Sequence, residues 1–255
     1  MSASFKEKLH ISTIDERASE RAAEYGLGLE IADFCWAQRI DCELEENIRA
    51  ARKKAKGAER LWFHAPFAEL SPCAIDPKVR ALTEERYFSA LSIADSLGIS
   101  RIVIHDGYIP NVYFPEYFIS ESIAFWRDLI DSVPRGAKIA LENVMDESPD
   151  MLCEIVESIS DERLGVCLDI GHANCPVSKL PPLEWIAPLA PHLFHVHIHN
   201  NMGERDLHSS LRDGTIPVRE VLDRVMELAP NATFTIENMD SRDSLLWLCE
   251  QGYLE

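Results

Sequence analysis

The stretch FHVHIHNN, residues 194–201, carries three histidines at alternate positions. Successive side chains of a β-strand point to opposite faces, so His195, His197 and His199 share one face. Val196 and Ile198 then point the other way. A row of imidazoles can face a metal ion or an anionic ligand, although a polar strand edge in water shows the same pattern. What this face contacts is therefore the first question that the sequence raises.

Three carboxylates close other apolar segments of the chain: Glu142 in KIALENV, Asp169 in LGVCLDIGH and Glu237 in ATFTIEN. The same alternation points all three to one side, away from the neighbouring Ile and Leu side chains. Burying three carboxylates together is costly, and these segment ends carry no Arg or Lys to pair with them. A bound divalent cation is the simplest compensation, because carboxylate and imidazole are its usual ligands.

The three clustered histidines are expected to differ in role. We favour His197 as a metal ligand because it lies at the depth of Asp169 and Glu237. His195 would lie deeper and support it, and His199 would lie nearer the mouth and touch substrate. Alternation alone does not establish which of the three histidines binds the metal ion. Further ligand-type residues follow other apolar segments: His64, His105, His172, Asp206 and His208.

The apolar pattern switches repeatedly between short β-like segments and longer helix-like ones. The β-like segments are LHISTI (9–14), LGLEIADF (27–34), RLWFHAP (60–66), RIVIHDG (101–107), KIALENV (138–144), LGVCLDIGH (164–172), LFHVHIHN (193–200) and ATFTIEN (232–238). Each is followed by a helical pattern, and Asp76-Pro77 and Ser148-Pro149 are typical helix starts.

Eight such units without a linker predict one α/β domain over residues 1–255, a single (β/α)8 TIM barrel. An open doubly wound sheet is the alternative, disfavoured because no GxGxxG follows the first strand. In a barrel the functional groups lie at the carboxyl ends of the strands, which is where the acids and histidines stand.

Composition narrows the classes of function. The chain has 255 residues, 46% of them hydrophobic, and a net charge of −18. This acidity disfavours a nucleic-acid partner, and the one dense basic stretch, RAARKKAKGAER (49–60), is typical of a solvated helix face. The seven cysteines form no CxxC pair. With no apolar leader or membrane-length apolar segment, we expect a reduced, cytoplasmic protein without membrane contact.

The segments IALENV, VCLDIGHAN, HVHIHNN, RDLHSSLRDGTI and FTIEN together resemble the consecutive motifs of the xylose isomerase-like TIM barrel superfamily. The resemblance runs from GLGLEI near residue 26 to FTIEN near 238. This superfamily includes sugar phosphate isomerases and epimerases and the endonuclease IV family. Around YGLGLEIADFCWAQRIDCE and GHANCPVSKLPP, the sequence resembles the isomerase branch more closely.

The resemblance implies two ligand sets. In the isomerase and epimerase branch, one divalent metal, manganese or zinc first with magnesium or cobalt as alternatives, is held by residues resembling Glu142, Asp169, His197 and Glu237, and His172 contacts substrate. In the endonuclease IV branch, three zinc ions also use residues resembling His64, His105, His172, Asp206 and His208.

The leading hypothesis is a metal-dependent isomerase or epimerase of a keto sugar or polyol-derived ketone. Glu142 and Glu237 would transfer a proton through an enediolate, with His172, His199, His64 and His105 as substrate contacts. A trinuclear-zinc phosphodiesterase, an AP endonuclease, is the alternative. A dehydratase and a non-catalytic binding barrel stay open, as does a homo-oligomer.

Two expectations concern the substrate. Trp36, Phe67 and Tyr108 follow the second, third and fourth predicted strands and could form an apolar wall, or simply pack within their loops. The well-placed cations are Arg205 and Arg212, in the loop after the seventh strand. No P-loop or glycine-rich cradle is present, so we expect an unphosphorylated small molecule.

Overall fold

The computed structural model describes residues 4–254, which fold into a closed barrel of eight parallel strands in the order β1 to β8, with β1 paired to β8. This confirms the predicted (β/α)8 barrel. The strands are β1 (Leu9–Ser12), β2 (Gly28–Ile31), β3 (Leu61–His64), β4 (Arg101–His105), β5 (Lys138–Glu142), β6 (Leu164–Asp169), β7 (Leu193–Ile198) and β8 (Thr233–Ile236).

Helices surround the barrel and connect its strands. They are α1 (Phe5–Lys8), α2 (Ala18–Tyr25), α3 (Gln38–Asp41), α4 (Leu44–Lys54), α5 (Pro77–Ser96), α6 (Pro115–Asp131), α7 (Asp150–Ile159), α8 (Pro182–Leu189), α9 (Val218–Leu228) and α10 (Arg242–Glu250), with 3-10 turns at His172–Asn174 and Ala190–His192. None of those within residues 4–254 has the length and apolar character needed to cross a bilayer.

Local chemistry explains the start of one long helix. Asp76 is the N-cap of α5, where its Oδ1 accepts the backbone N–H of Lys78 at 2.8 Å, and Pro77 opens the helix as predicted. The predicted start at Ser148 is displaced: α7 begins at Asp150, after Pro149.

The apolar side chains form two separate cores. The larger core lies between strands and helices and contains Ile139, Leu141 and Leu168. The smaller one lies inside the barrel and consists of Trp62, Val103, Ala140 and Cys167, with Phe194 packed against it. This separation confirms the predicted alternation, because residues two apart along each strand face the barrel interior.

Register between strands sets the height of the polar residues above the inner core. His105 pairs with Glu142, and Asp169 pairs with His197. His197 is in turn opposite Thr235, so Glu237 lies two residues beyond that level, just after β8. Asp169 is therefore the cross-strand partner of His197, whereas Glu237 follows the Thr235 partner of His197 by two residues.

Candidate metal centre and active site

Four predicted ligands converge at the carboxyl end of the barrel. The Nδ1 atom of His197 lies 3.1 Å from Glu142 Oε1, 3.2 Å from Glu237 Oε2 and 3.8 Å from Asp169 Oδ2. One donor atom from each of these four residues lies within 4.8 Å of the others. All four side chains are buried.

The electrostatics of these acids depend on histidines. Within residues 4–254, every ion-pair partner of Glu142, Asp169 and Glu237 is a histidine. Burial raises the pKa of Glu142, but the charge of His197 and hydrogen bonds from His197 and His64 outweigh it and hold that pKa well below its ordinary value. Histidines likewise outweigh burial and lower the pKa of Asp169 and Glu237. The three groups are therefore carboxylates at neutral pH.

This arrangement fits a divalent metal ion. Three carboxylates and an imidazole are a donor set that such ions take, and the spacing of their atoms suits bonds of about 2.0–2.3 Å to a shared centre. Glu142 Oε2 is buried and has no hydrogen-bond partner within the described part of the chain. A cation would satisfy this oxygen, because an unpaired buried carboxylate oxygen is costly.

Three further histidines surround Glu142. His64 Nε2 lies 3.3 Å and His105 Nε2 3.5 Å from Glu142 Oε2, and His172 Nδ1 lies 3.5 Å from Oε1. Burial lowers the pKa of His105 to about 3, so this ring is neutral. Burial also opposes charge on His172, but Asp169 and Asp206 raise its pKa to about 10.

The loop after β7 places Asp206 and His208 above the metal-ligand cluster. His208 Nε2 lies 2.8 Å and His172 Nε2 3.4 Å from Asp206 Oδ2. His208 has a φ of 47°, a strained conformation for a side chain of this size. Asn238 Nδ2 holds it by donating to the His208 carbonyl at 2.9 Å, and Asn200 pairs with Ser209 beside it.

His199 lies below this surface. Its Nε2 is 3.0 Å from Asp169 Oδ2, its ring stacks on His208 at 4.2 Å, and its side chain is fully buried. Gly171 permits this position, since a Cβ there would lie 1.8 Å from His199 Cε1. A substrate contact by His199 stays a prediction; the structure shows it supporting Asp169.

A cavity of about 740 Å³ opens above the cluster. Asp169, His197 and His199 lie beneath it. The seven predicted site residues that line it are His64, His105, Glu142, His172, Asp206, His208 and Glu237. The predicted aromatics Trp36, Phe67 and Tyr108 form an apolar side, and Phe67 stacks on His105 at 4.5 Å. Met145 and Met239 extend this side at the rim.

The cations at the cavity differ from those expected. Neither Arg205 nor Arg212 lines it, and Arg212 instead pairs with Asp243 at 3.3 Å on the outer surface. Arg39 and Lys54 reach the rim, and Lys54 Nζ lies 2.5 Å from Asp33. The loop after β7 turns Arg212 outward, so it cannot contact a ligand above Glu142.

Sequence reasoning missed three neighbours of the site. Glu30, on β2, is fully buried and lies 3.2 Å from His197 Nε2; burial raises its pKa, but His197 and His195 hold it well below its ordinary value. Cys35 Sγ lies 3.2 Å from His64 Nδ1, and Asn143 bonds the backbone of Asp169. Alternation in GLEI would have revealed Glu30, since Leu29 and Ile31 face outward.

Relatives in sequence share part of the chain. An uncharacterized protein of Methanocaldococcus jannaschii, MJ1311, is 32% identical over 191 residues, 71% of this chain and 65% of the relative. The chain thus spans slightly less than two thirds of that relative's length. A probable endonuclease 4 of Mycobacterium marinum is 24% identical over 81% of this chain and 83% of its own.

Solved structures match nearly the whole chain. A D-tagatose 3-epimerase-like protein is 27% identical with a TM-score of 0.78, covering 96% of both chains. The TTHB071 protein of Thermus thermophilus, from a crystal soaked with ZnCl2, is 25% identical with a TM-score of 0.77, covering 96% of this chain and 98% of its own. The sequence pattern of one family matches residues 19–251. The chain therefore belongs to the xylose isomerase-like TIM barrel family.

Proposed function

We propose that this protein is a divalent-metal-dependent isomerase or epimerase of a keto sugar or polyol-derived ketone. The observation that carries the proposal is the placing of two ionised glutamates, Glu142 and Glu237, on the floor of one cavity. Each lies about 3 Å from His197 Nδ1, at 3.1 and 3.2 Å. They belong to β5 and the end of β8, so they approach the cavity floor from different sides.

Glu142, Asp169, His197 and Glu237 would hold the metal ion. When bound there, a divalent cation supplies positive charge that stabilises the negative charge developing on substrate oxygens as a neighbouring C–H proton leaves. His197 and Asp169 lie beneath the cavity floor, so they can hold an ion without occupying the space of the substrate.

Proton transfer is the task of the two glutamates. One carboxylate removes the proton from the carbon beside the carbonyl and becomes a carboxylic acid; the other takes up a proton from water in the open cavity and delivers it to carbon, after which the first returns its proton to water. Return to the same carbon from the opposite face inverts that centre, and return to the neighbouring carbon moves the carbonyl. His172 lines the cavity beside Glu142 and can donate to a substrate hydroxyl, because its pKa is raised to about 10.

The cavity wall supports a small neutral substrate. The aromatic rings of Trp36, Phe67 and Tyr108 suit the C–H face of a sugar, while its hydroxyls face the polar floor. Of the two cations at the rim, Lys54 is already paired with Asp33, and Arg39 donates to the side chain of Asn47. The likeness to a D-tagatose 3-epimerase-like protein, and to a protein soaked with ZnCl2, supports keto-sugar chemistry at a divalent metal.

A second candidate, a multinuclear zinc phosphodiesterase, is favoured by one observation. His64 and His105 lie beside Glu142, and Asp206 and His208 lie beside each other at the same cavity. Together with Glu142, Asp169, His197 and Glu237 they form a larger donor set. The likeness to a probable endonuclease 4 agrees with it. A net charge of −18 opposes binding to a polyanion, so we place this candidate second.

The direct test is hydrogen exchange at carbon. The purified enzyme, supplied with manganese or zinc, is incubated with a panel of ketohexoses, ketopentoses and polyol-derived ketones in D2O. We expect deuterium beside the carbonyl in substrate and product, detected by mass spectrometry and NMR. Glu237→Gln should slow exchange by about 10²- to 10⁴-fold. Glu220→Gln, an exposed change on α9, is the matched control and should leave exchange unchanged.

Two results would contradict the proposal. One is exchange that proceeds equally in the Glu237→Gln variant. The other is a protein that exchanges no proton in any ketose but cleaves DNA at abasic sites, which would move the phosphodiesterase to first place.

A further inference from the structure

Glu30 is a fourth buried carboxylate, directly beneath the candidate metal centre. It projects from β2 into the barrel, and its side chain is fully buried. Within residues 4–254 it contacts no Lys or Arg. Its partners are His195 Nε2 at 3.1 Å, the Thr235 hydroxyl at 2.9 Å and His197 Nε2 at 3.2 Å. A carboxylate so placed, away from water and from any Lys or Arg of the described residues, costs stability and requires a physical reason.

Three other histidines of the site share one ring orientation. The Nδ1–H groups of His64, His172 and His208 donate to the backbone carbonyls of Ala65, Asn143 and Glu237, each at 2.9 Å. A carbonyl oxygen only accepts, so the proton lies on Nδ1. The other ring nitrogen, Nε2, then faces a carboxylate of the site in each case.

His197 has the reverse orientation. Its Nδ1 faces Glu142, Glu237 and Asp169, so this nitrogen must carry the lone pair when His197 binds a metal ion held by those carboxylates. The proton then belongs on Nε2, which points down into the barrel. No backbone carbonyl accepts it within the described residues. The acceptor at that position is Glu30, whose two oxygens both lie 3.2 Å from Nε2.

We propose that Glu30 is a positioning residue that accepts the Nε2–H of His197 and so holds the Nδ1 lone pair toward the candidate metal ion. This inference rests on the metal centre of the proposed function and assigns a residue beyond its ligand set. A carboxylate acceptor also makes the opposite nitrogen of an imidazole a stronger donor than a carbonyl does.

Glu30 is itself held from below. His195 bonds Glu30 through Nε2 and Thr233 through Nδ1, the latter at 2.6 Å. Trp62 stacks on the His195 ring at 4.2 Å and donates its indole N–H to the Thr233 hydroxyl at 3.0 Å. Packed and hydrogen-bonded side chains therefore support the Glu30 carboxylate from below, as far as Trp62 in the inner core. A rigid support of this kind is what orientation of a ligand ring requires.

Direct coordination by Glu30 is the competing interpretation. Donor atoms of Glu30, His64, His197 and Glu237 also lie within 4.8 Å of one another. A cation there would take a lone pair from His197 on the lower side. The two interpretations differ in the number of ions bound and in the nitrogen of His197 that carries the proton.

The test measures zinc affinity without substrate. Purified protein stripped of metal is titrated against a fluorescent zinc chelator, for wild type, Glu30→Gln and Glu30→Leu. We expect Glu30→Leu to bind one zinc per chain about 10- to 100-fold more weakly. Glu30→Gln keeps an acceptor oxygen, so its zinc affinity should lie between those of wild type and Glu30→Leu. Glu220→Leu, a Glu-to-Leu change at an exposed position of α9, is the matched control and should stay close to wild type.

A second readout separates orientation from folding. In zinc-loaded wild type, 15N NMR of the histidine rings should show His197 protonated at Nε2, and Glu30→Leu should disturb this signal. Glu30→Leu leaves His195 and Thr235 without their acceptor, so its thermal midpoint should fall while the protein stays folded at the temperature of the titration. Weaker zinc binding measured well below that midpoint, together with the disturbed His197 signal, points to lost orientation rather than to unfolding.

Three outcomes would overturn the role of Glu30. They are equal zinc affinity in wild type and Glu30→Leu, the loss of a whole zinc equivalent in Glu30→Leu, and a wild type that binds no divalent metal. The last would also refute the proposed function. A wild type that binds zinc tightly but exchanges no proton in any ketose would refute the proposed function alone.

Discussion

The interior of the barrel has two unlike halves. On β3 to β6, each apolar residue of the inner core is followed, two residues later, by a residue of the site. The pairs are Trp62 and His64, Val103 and His105, Ala140 and Glu142, and Cys167 and Asp169. On β7, β8 and β2, the inward-facing residues below the site are polar instead, and they are His195, Thr235 and Glu30.

The difference separates two ways of supporting a site. Along β3 to β6, apolar packing holds the strands, and a single polar layer rests on it. Along β7, β8 and β2, hydrogen bonds reach down from His197 to the Thr233 hydroxyl. We infer that changes in the first half mainly alter the free energy of unfolding. Changes in the second half should alter metal affinity more than stability.

Trp62 joins the two halves, so its removal should have the largest effect on stability. Trp62→Ala leaves a cavity in the inner core and frees the Thr233 hydroxyl. We expect the free energy of unfolding to fall by about 3–5 kcal/mol, measured by urea denaturation. Trp247→Ala, on the half-buried side of α10, is the matched control and should cost clearly less. Equal losses in both variants would contradict the importance of the inner core.

Gly171 sets the contact between His199 and Asp169. In Gly171→Ala the new Cβ would overlap the His199 ring, so the ring must leave its position 3.0 Å from Asp169 Oδ2. We expect about 10-fold weaker zinc binding, since support around a ligand is worth 10- to 100-fold. Gly136→Ala, where a Cβ meets nothing, is the control. Unchanged zinc affinity in Gly171→Ala would show that His199 does not support the site.

Asp106 and Asp146 form a second buried carboxyl pair, and neither has a histidine ion-pair partner within residues 4–254. Burial raises the pKa of Asp106 well above its ordinary value and that of Asp146 to about 6. For acids with a raised pKa, the stabilising neutral form is present at low pH and is lost as pH rises through about 6. Asp106→Asn keeps a neutral side chain there at every pH.

We therefore expect Asp106→Asn to exceed wild type in the free energy of unfolding by about 1–2 kcal/mol at pH 8. The advantage should vanish near pH 4, where the native carboxyls are protonated. Urea denaturation at both pH values measures it, with Asp128→Asn on the exposed side of α6 as control. An advantage independent of pH would exclude the ionisation of Asp106 as its cause.

The smallest effect is expected at the cavity rim. Trp36 is 66% exposed and lines the cavity, so Trp36→Ala should leave the thermal midpoint unchanged. Loss of ring stacking should raise KM about 3- to 10-fold for the ketose that exchanges best, with little change in kcat. Phe114→Ala, 80% exposed and away from the cavity, is the control. A fall in kcat alone would exclude stacking as the role of Trp36.

Much of the barrel and part of the site follow from period-two alternation in the sequence. The interior direction of Glu142 and Asp169 was predictable because Ala140 and Cys167 precede them at the same spacing. The rule applies equally to Glu30, which was missed because the predicted strand, residues 27–34, extends beyond the observed Gly28–Ile31. Apolar patterning does not determine where a strand ends.

The loops were the least predictable part. The direction of Arg212 depends on Asp243 and Glu250, which are distant in sequence and form ion pairs with it. The strained backbone of His208 depends on Asn238, thirty residues on in the chain. Such contacts form only when the barrel closes, so no local pattern encodes them.

Metal content tests the central claim most directly. The protein is purified without added metal or chelator, and elemental mass spectrometry counts the ions per chain in wild type and in Asp169→Asn. We predict about one divalent ion per chain in wild type and a clear loss in the variant, which keeps the size of the side chain but not its charge. Equal content in both proteins, or no metal in wild type after divalent ions are supplied, would contradict a metal centre at Glu142, Asp169, His197 and Glu237.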